Sequence, residues 1–185
     1  MPALIELADL AGDLHVHSDR SDGSATIGEM ARAAPQRGLR YIAIYDHSRR
    51  LAVAHGLDAQ RLARQRAEIT RIQGEQPPVA ILCGFEVDIL ADGSLDLPAE
   101  VLAPLDLVVA AVHSSFALPR ERQTERILRA LEQPHLDGLT HPLGRWIDER
   151  EPYDVDRAAV IRSCAQRRVA REPNAHPERL DLLDT

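Results

Sequence analysis

Two imidazoles set two residues apart, His15 and His17 in Gly12-Asp13-Leu14-His15-Val16-His17-Ser18, are the part of this sequence best suited to chemistry. An extended strand projects residues i and i+2 from the same face. Both rings therefore point one way, just ahead of the polar stretch Asp19-Arg20-Ser21-Asp22-Gly23. Further donors follow as Asp46-His47, Glu86-Val87-Asp88, Val112-His113-Ser114 and Thr140-His141-Pro142, each at or just after the end of a short apolar run. Histidine and carboxylate donors without thiolate suit Zn, Mn or Fe rather than a cysteine-type structural zinc site. A mixed set this large implies two to three divalent ions. A carboxylate such as Glu86 can bridge two ions, which an imidazole normally does not. Close metals would lower the pKa of a bound water and clamp both the attacking and the leaving oxygen of a phosphoester.

The candidate metal ligands are therefore His15, His17, Asp22, His47, Glu86, His113 and His141. Among them His15, His17, Glu86, His113 and His141 form the expected catalytic core. Asp22 also reads as an ordinary Ser-Asp-Gly turn. Asp46 could orient His47 from behind, and Asp88 reads as structural. Arg145, after His141-Pro142, could grip a substrate phosphate bidentately, or else pair with Asp148 or Glu149. Arg49, beside Arg50, invites the same phosphate role. His55, His135 and His176 read as solvated or structural, and Trp146 as packing rather than base stacking.

The elements that must position these groups alternate between strand and helix. Strands are expected at Leu14–Val16, Tyr41–Tyr45, Val79–Val87, Leu107–Val112 and Leu136–Thr140. Between them, Ile27, Met30, Ala31 and Ala34 follow the stripe of an amphipathic helix. Thr26 and Glu29 form a capping box ahead of it, and Gly38 is its stop. Helices are also expected from Asp58 to Gln73, over Pro98–Leu105, from Gln123 to Leu131, and from an Asp154 cap to Arg168. Alternating β and α units imply a parallel sheet with right-handed crossovers. Both open and closed forms of that architecture gather ligands at the carboxyl ends of strands, where these histidines and carboxylates fall.

Composition narrows the rest. A chain of 185 residues, 44% of them hydrophobic, is one domain by size and can bury a core; with only 3% aromatic, Leu, Ile, Val and Ala must build it. The net charge of −7 makes a poor non-specific DNA binder. A nucleic-acid role therefore needs bound cations, a local arginine patch or a partner domain. Cys83 and Cys164 follow no paired spacing, and no disulfide is expected. No signal peptide or membrane-length apolar run is visible, so a cytoplasmic location and no membrane partner are expected.

Taken together, Asp13-Leu14-His15-Val16-His17-Ser18 with Ser21-Asp22-Gly23, Asp46-His47-Ser48, Gly84-Phe85-Glu86-Val87-Asp88, Val112-His113-Ser114 and His141-Pro142 resemble the PHP (polymerase and histidinol phosphatase) domain. The finer likeness is to the C-terminal PHP domain of bacterial family X DNA polymerases. It rests on Leu4-Ile5-Glu6, on Ile89-Leu90-Ala91-Asp92-Gly93-Ser94-Leu95-Asp96 and on His141-Pro142-Leu143-Gly144-Arg145. Arg150-Glu151-Pro152-Tyr153-Asp154 and Asn174-Ala175-His176-Pro177-Glu178-Arg179-Leu180-Asp181-Leu182 add to it.

The resemblance implies an α/β fold, a distorted TIM-like (β/α)7 barrel, with residues 1–11 as a lead-in and 12–185 as the metallophosphoesterase domain. It implies a trinuclear site: His15, His17 and Glu86 on one ion, Glu86, His113 and His141 on a second, Asp22 and His47 on a third. The implied activity is Mn-dependent 3′–5′ exonuclease and 3′-end processing in DNA repair, with DNA 3′ ends delivered by a fused or partner polymerase module. The alternatives are a histidinol-phosphatase-like enzyme acting on small phosphomonoesters, and a catalytically silent PHP remnant. Two departures stand out. The sequence stops at Thr185 without the family's final Asp-x-His, so an incomplete barrel lacking its last βα unit is expected. Arg167-Arg168-Val169-Ala170-Arg171-Glu172-Pro173 also stands where the family has an apolar strand.

Overall fold

The computed structural model describes residues 5–182, so the first four residues of the lead-in and the last three of the chain lie outside it. Its contacts divide the chain into two compact units. Among the described residues, the first comprises 5–85 and 105–107 and the second 86–104 and 108–182.

In the first unit, β1 (Gly12–Val16), β2 (Tyr41–Ile44) and β3 (Ala80–Asp88, which runs on into the second unit) pair in parallel in that order. Helix α1 (Ile27–Ala33) follows β1 and α2 (Ala59–Gly74) follows β2. Their inward faces make one cluster with the strands: Ile27, Ala31 and Ala34 from the first connection, Ile42 and Ile44 from β2, Ile69 and Ile72 from α2, Ile81 and Cys83 from β3. Fully burying an aliphatic side chain of this size contributes about 1.5–3 kcal/mol, so a core nearly without aromatic rings still suffices.

The second unit continues with α3 (Ala99–Leu102), β4 (Leu107–Ala111, from Val108 onward), α4 (Arg120–Ala130), β5 (Gly138–Leu139), α5 (Arg157–Arg167) and β6 (Ala170–Arg171). β4, β5 and β6 pair in parallel in chain order. Ile89 N donates to Ala111 O at 2.8 Å, which ties the end of β3 to β4. The described residues thus hold six strands following the chain order, each crossover carrying helix, as the expected βα repetition requires.

Local chemistry sets the element ends. Thr26 Oγ1 accepts from Glu29 N, and Glu29 returns the bond to Thr26 N, completing the capping box. Gly38 closes the following 3₁₀ turn at φ 78°, a left-handed conformation that costs glycine little. Asp58 caps α2 by accepting from Arg61 N. Three expectations are corrected. Helix α4 begins at Arg120 rather than Gln123, directly after Pro119. The cap of α5 is Asp156, which accepts from Ala159 N, whereas Asp154 pairs instead with Arg120. The arginine-rich stretch before Asn174 does form a strand. Ala170 N donates to Asp137 O at 2.7 Å, while Val169 is buried. Backbone pairing at a sheet edge tolerates exposed side chains, so two residues suffice there. Both cysteines are free and buried, and among the described residues no helix is long and apolar enough to cross a membrane.

The capping box gives a direct check. Thr26→Ala removes the Oγ1 bonds of the box, leaving the backbone bond to Glu29, and should cost about 1 kcal/mol. For a chain of this size, that lowers the thermal midpoint by about 2–4 °C, measurable by circular dichroism.

Candidate metal centre

The first unit carries one group of donors at the ends of β1 and β2. His15 lies in β1 and His17 just beyond it, and their ring centroids are 5.0 Å apart. His47 follows β2 and stacks on His17 at 4.5 Å. The Asp22 carboxylate reaches both, with Oδ1 3.5 Å from His17 Nδ1 and Oδ2 3.4 Å from His47 Nε2. Its hydrogen bond to His47 holds Asp22 down at about 2, against the smaller opposing effect of burial.

The loop that presents Asp22 is fastened from below. Asp46 is fully buried and accepts from Ser18 N at 2.7 Å, Ser18 Oγ at 2.5 Å, Ser21 Oγ at 2.6 Å and the Gln65 amide. These bonds make it a brace for the β1 loop, a role that sequence reading did not give it. Gly23 lies so close beneath that loop that a Cβ would sit 2.1 Å from the His17 carbonyl oxygen. A side chain there would push Asp22 out of place.

The second unit carries the other group, at the ends of β3, β4 and β5. Glu86 and His141 are buried, and Glu86 Oε1 lies 2.8 Å from His141 Nε2 and 3.5 Å from His113 Nε2. The centroids of His113 and His141 are 5.2 Å apart. His113 Nδ1 contacts Asp88 Oδ1 at 2.5 Å. That contact orients the ring, with Nδ1 toward Asp88 and Nε2 toward Glu86. This is the carboxylate–histidine arrangement that orients metal-binding imidazoles. Asp88, which the sequence suggested was structural, is therefore an orienting group. The alternation of side chains along β3 was the signal for it.

Electrostatics keep the set ready to bind cations. Burial alone would raise Glu86, but His113 and His141 outweigh it and hold the carboxyl well below its usual range. Burial opposes charge on His113, yet Glu86 and Asp88 prevail and its pKa is raised. Burial pushes His141 down to about 4, so it is a neutral base near pH 7.

His141 itself sits at φ 28°, a left-handed conformation that costs a non-glycine residue on the order of 1–3 kcal/mol. Two carboxylates hold it there. Glu172 accepts from His141 N at 2.9 Å and from the Thr140 hydroxyl. Asp181 accepts from Leu143 N through both oxygens, at 2.9 and 3.2 Å. Tyr153 adds a bond to the Pro142 carbonyl at 2.6 Å. Neither Glu172 nor Asp181 was singled out from sequence, because their partners lie 31 and 38 residues upstream.

The remaining candidates are placed as follows. Arg145 donates from Nε to Arg179 O at 2.8 Å and from Nη2 to Leu180 O. Its guanidinium thus ties down the C-terminal segment, and among the described residues it makes no ion pair with Asp148 or Glu149. Arg49 is exposed on the turn after His47. His55, His135 and His176 are exposed, and Trp146 lies under the Arg179 guanidinium at 4.6 Å.

Each donor group fits a divalent cation. His141, kept neutral by burial, stands beside the ionised Glu86, while His17, His47 and His113 lie beside carboxylates, and no thiolate takes part. Zn, Mn and Fe accept such donors.

Comparison with known proteins follows the same line. A family model described as PHP domain matches residues 13–147. The chain is 46% identical over 179 residues to the DNA polymerase/3′-5′ exonuclease PolX of Bacillus subtilis, which covers 97% of this chain and 31% of that protein. It is 35% identical over 135 residues to a probable phosphatase of Thermoanaerobacter sp. (strain X514), covering 70% of this chain and 53% of that one. The chain therefore spans from about a third to about half of the length of these relatives. Among solved structures it is similar to histidinol phosphate phosphatase from Lactococcus lactis in complex with zinc, L-histidinol and phosphate. The TM-score is 0.53 at 19% identity, over 87% of this chain and 72% of that one. That likeness bears on the fold, and it agrees with an α/β barrel-type architecture with six strands in place.

The His141 environment predicts a pH effect. Its folded pKa of about 4 lies below the ordinary value of 6.5, so the unfolded chain takes up the proton first. Stability should fall as pH drops from 6.5 toward 4, and no further below that on this account. In metal-free protein, urea midpoints should decline across that window, and His141→Gln should flatten the decline. An equally steep decline in the variant would assign it to another group.

Proposed function

The chain belongs to the PHP domain family, and on that basis we propose that it is a divalent-metal-dependent phosphoesterase that processes the 3′ ends of DNA. The observation that carries the reading is the Asp88–His113–Glu86 arrangement, with 2.5 Å on the orienting side and 3.5 Å on the donor side. An imidazole held between one orienting carboxylate and a second, ionised and buried one is the arrangement that metal-binding histidines use.

The residues divide the work. Asp88 orients the His113 ring. His141 stays neutral in its buried position, and Glu86 stays ionised. In the first unit, Asp22 stays ionised opposite His17 and His47, while Asp46 holds the loop. His15, His17, Asp22 and His47 on one hand, and Glu86, His113 and His141 on the other, are the proposed ligands of two to three ions, Mn or Zn with Fe also compatible. Bound there, such ions supply neutralisation of phosphate charge and a lowered pKa of water for in-line hydrolysis.

The DNA reading draws on the 46% identity to a polymerase/3′-5′ exonuclease across 97% of this chain. As the chain spans 31% of that protein, delivery of the DNA end by a fused or partner polymerase module is part of the proposal. The phosphatase relatives favour a second reading, hydrolysis of small phosphomonoesters.

Nucleotide release from a 5′-labelled single strand with Mn separates the readings. The His15→Ala, Glu86→Ala double variant should lose more than about 100-fold, since loss of a mere orienting partner already costs about 10–100-fold. Equal rates would sink the proposal. Turnover of p-nitrophenyl phosphate without nucleotide release would transfer the site to small esters. Neither activity, with substoichiometric metal by elemental analysis, would mark a silent scaffold. In a separate titration, Asp88→Asn should weaken Mn binding by about 10–100-fold, read by calorimetry; unchanged affinity would remove Asp88 from the site.

A further inference from the structure

We propose that an arginine-lined groove in the first unit binds the phosphodiester backbone of a nucleic-acid strand. The groove, of about 460 Å³, is lined by Arg20, Arg61, Arg64 and Arg71 with Leu57, Gln65 and Glu68. Four guanidiniums face one carboxylate in a chain whose net charge is −7. The balance of charge in this groove is thus opposite to that of the molecule. Such a local reversal is what an acidic protein needs in order to hold a polyanion, because phosphate attraction dominates non-specific nucleic-acid binding.

The arginines form a track. Arg64 and Arg71 are seven residues apart on α2 and so share a face, with Arg61 one turn earlier. At 1.5 Å per residue the row extends about 15 Å, longer than a single phosphate needs and suited to several along a strand. Two of the arginines are built in. Arg20 grips Glu68 through Nε and Nη2 at 3.1 and 2.7 Å, and Arg61 donates to the carbonyls of His55, Gly56 and Arg20. Arg71 makes an exposed pair with Glu75 on the same helix. Among the described residues Arg64 has no ion-pair partner, and its guanidinium is available to a ligand.

The groove also borders the ligand-bearing loops of its own unit. Arg20 lies two residues before Asp22. Gln65 on its floor donates to Asp46, which braces that loop, and Leu57 N donates to His47 O at 2.7 Å. A strand lying along α2 would therefore run toward Asp22 and His47. The inference deepens the phosphoesterase reading by giving the site a polymeric substrate, but strand binding can be measured apart from hydrolysis.

The test is fluorescence anisotropy with a single-stranded DNA oligonucleotide whose 3′ linkages are phosphorothioates, in the presence of Mn, across a salt series. Arg64→Ala, Arg71→Ala removes two exposed guanidiniums and leaves the built-in Arg20 and Arg61 in place. Affinity should fall about tenfold. The slope of log K against log salt should shrink by about 1.4, corresponding to two phosphate contacts. The charge-matched variant Arg32→Ala, Arg37→Ala, exposed elsewhere in the same unit, should keep the wild-type slope. The groove assignment is overturned if the Arg64/Arg71 variant keeps wild-type affinity and slope, or if both double variants lose equally. It is also overturned if the wild type binds without salt dependence. If strand binding behaves as expected while no phosphoester is hydrolysed, the groove stands and the enzymatic reading falls.

Discussion

A buried charge must find partners or it destabilises the fold, and this protein uses that constraint to fasten the loops that carry its donors. Asp46, with no exposed surface, collects donors from Ser18, Ser21 and Gln65 beneath the loop after β1. Asp181 and Glu172 collect the backbone amides of the turn after β5. Arg126, nearly fully buried on α4, supplies the complementary case. Its guanidinium donates to the carbonyls of Ile89, Leu90 and Ser114, which belong to the turns after β3 and β4. Each loop is thereby committed to one conformation, since any other would leave an ionised group buried and unsatisfied. The strained backbone at His141 persists for that reason.

This fastening sets the electrostatics of the donors. With the loops fixed, imidazoles are held with ring centroids 4.5 to 5.2 Å apart and beside carboxylates. Burial keeps His141 uncharged, and its neighbours keep Glu86 ionised. Neutral nitrogen donors and ionised oxygen donors are the forms that bind divalent cations. His141 and Glu86 are held in those forms near neutral pH before any ion arrives. An acidic chain gains doubly from such ions, because they offset the repulsion it exerts on a phosphate group. The arginine-lined groove along α2 answers the same repulsion by a second route, placing positive charge where a strand would lie.

The donor residues sit at strand ends, where a βα fold keeps its loops free to vary. Surface features such as Arg64 and Arg71 can therefore vary without disturbing the donor residues. The fold is accordingly shared with a histidinol phosphate phosphatase at only 19% identity.

Much of this was legible in the sequence. Residue spacing determined that His15 and His17 share a face, that Thr26 and Glu29 cap α1, and that apolar runs alternate with amphipathic helices. Those are local properties, settled by backbone geometry within a few residues. Local pattern misplaced the starts of α4 and α5, where a proline and a neighbouring aspartate compete for the role of cap. It also overlooked β6, whose two residues are held by backbone pairing rather than by apolar side chains. Only the tertiary structure decided which carboxylates act on which loops. Asp88 on His113, Asp46 on Ser18 and Ser21, Glu172 and Asp181 on the His141 turn, and Arg145 on the C-terminal segment all join residues 25 to 38 positions apart. Such pairings depend on strand register and crossover length, and neither is written in the identity of any one residue.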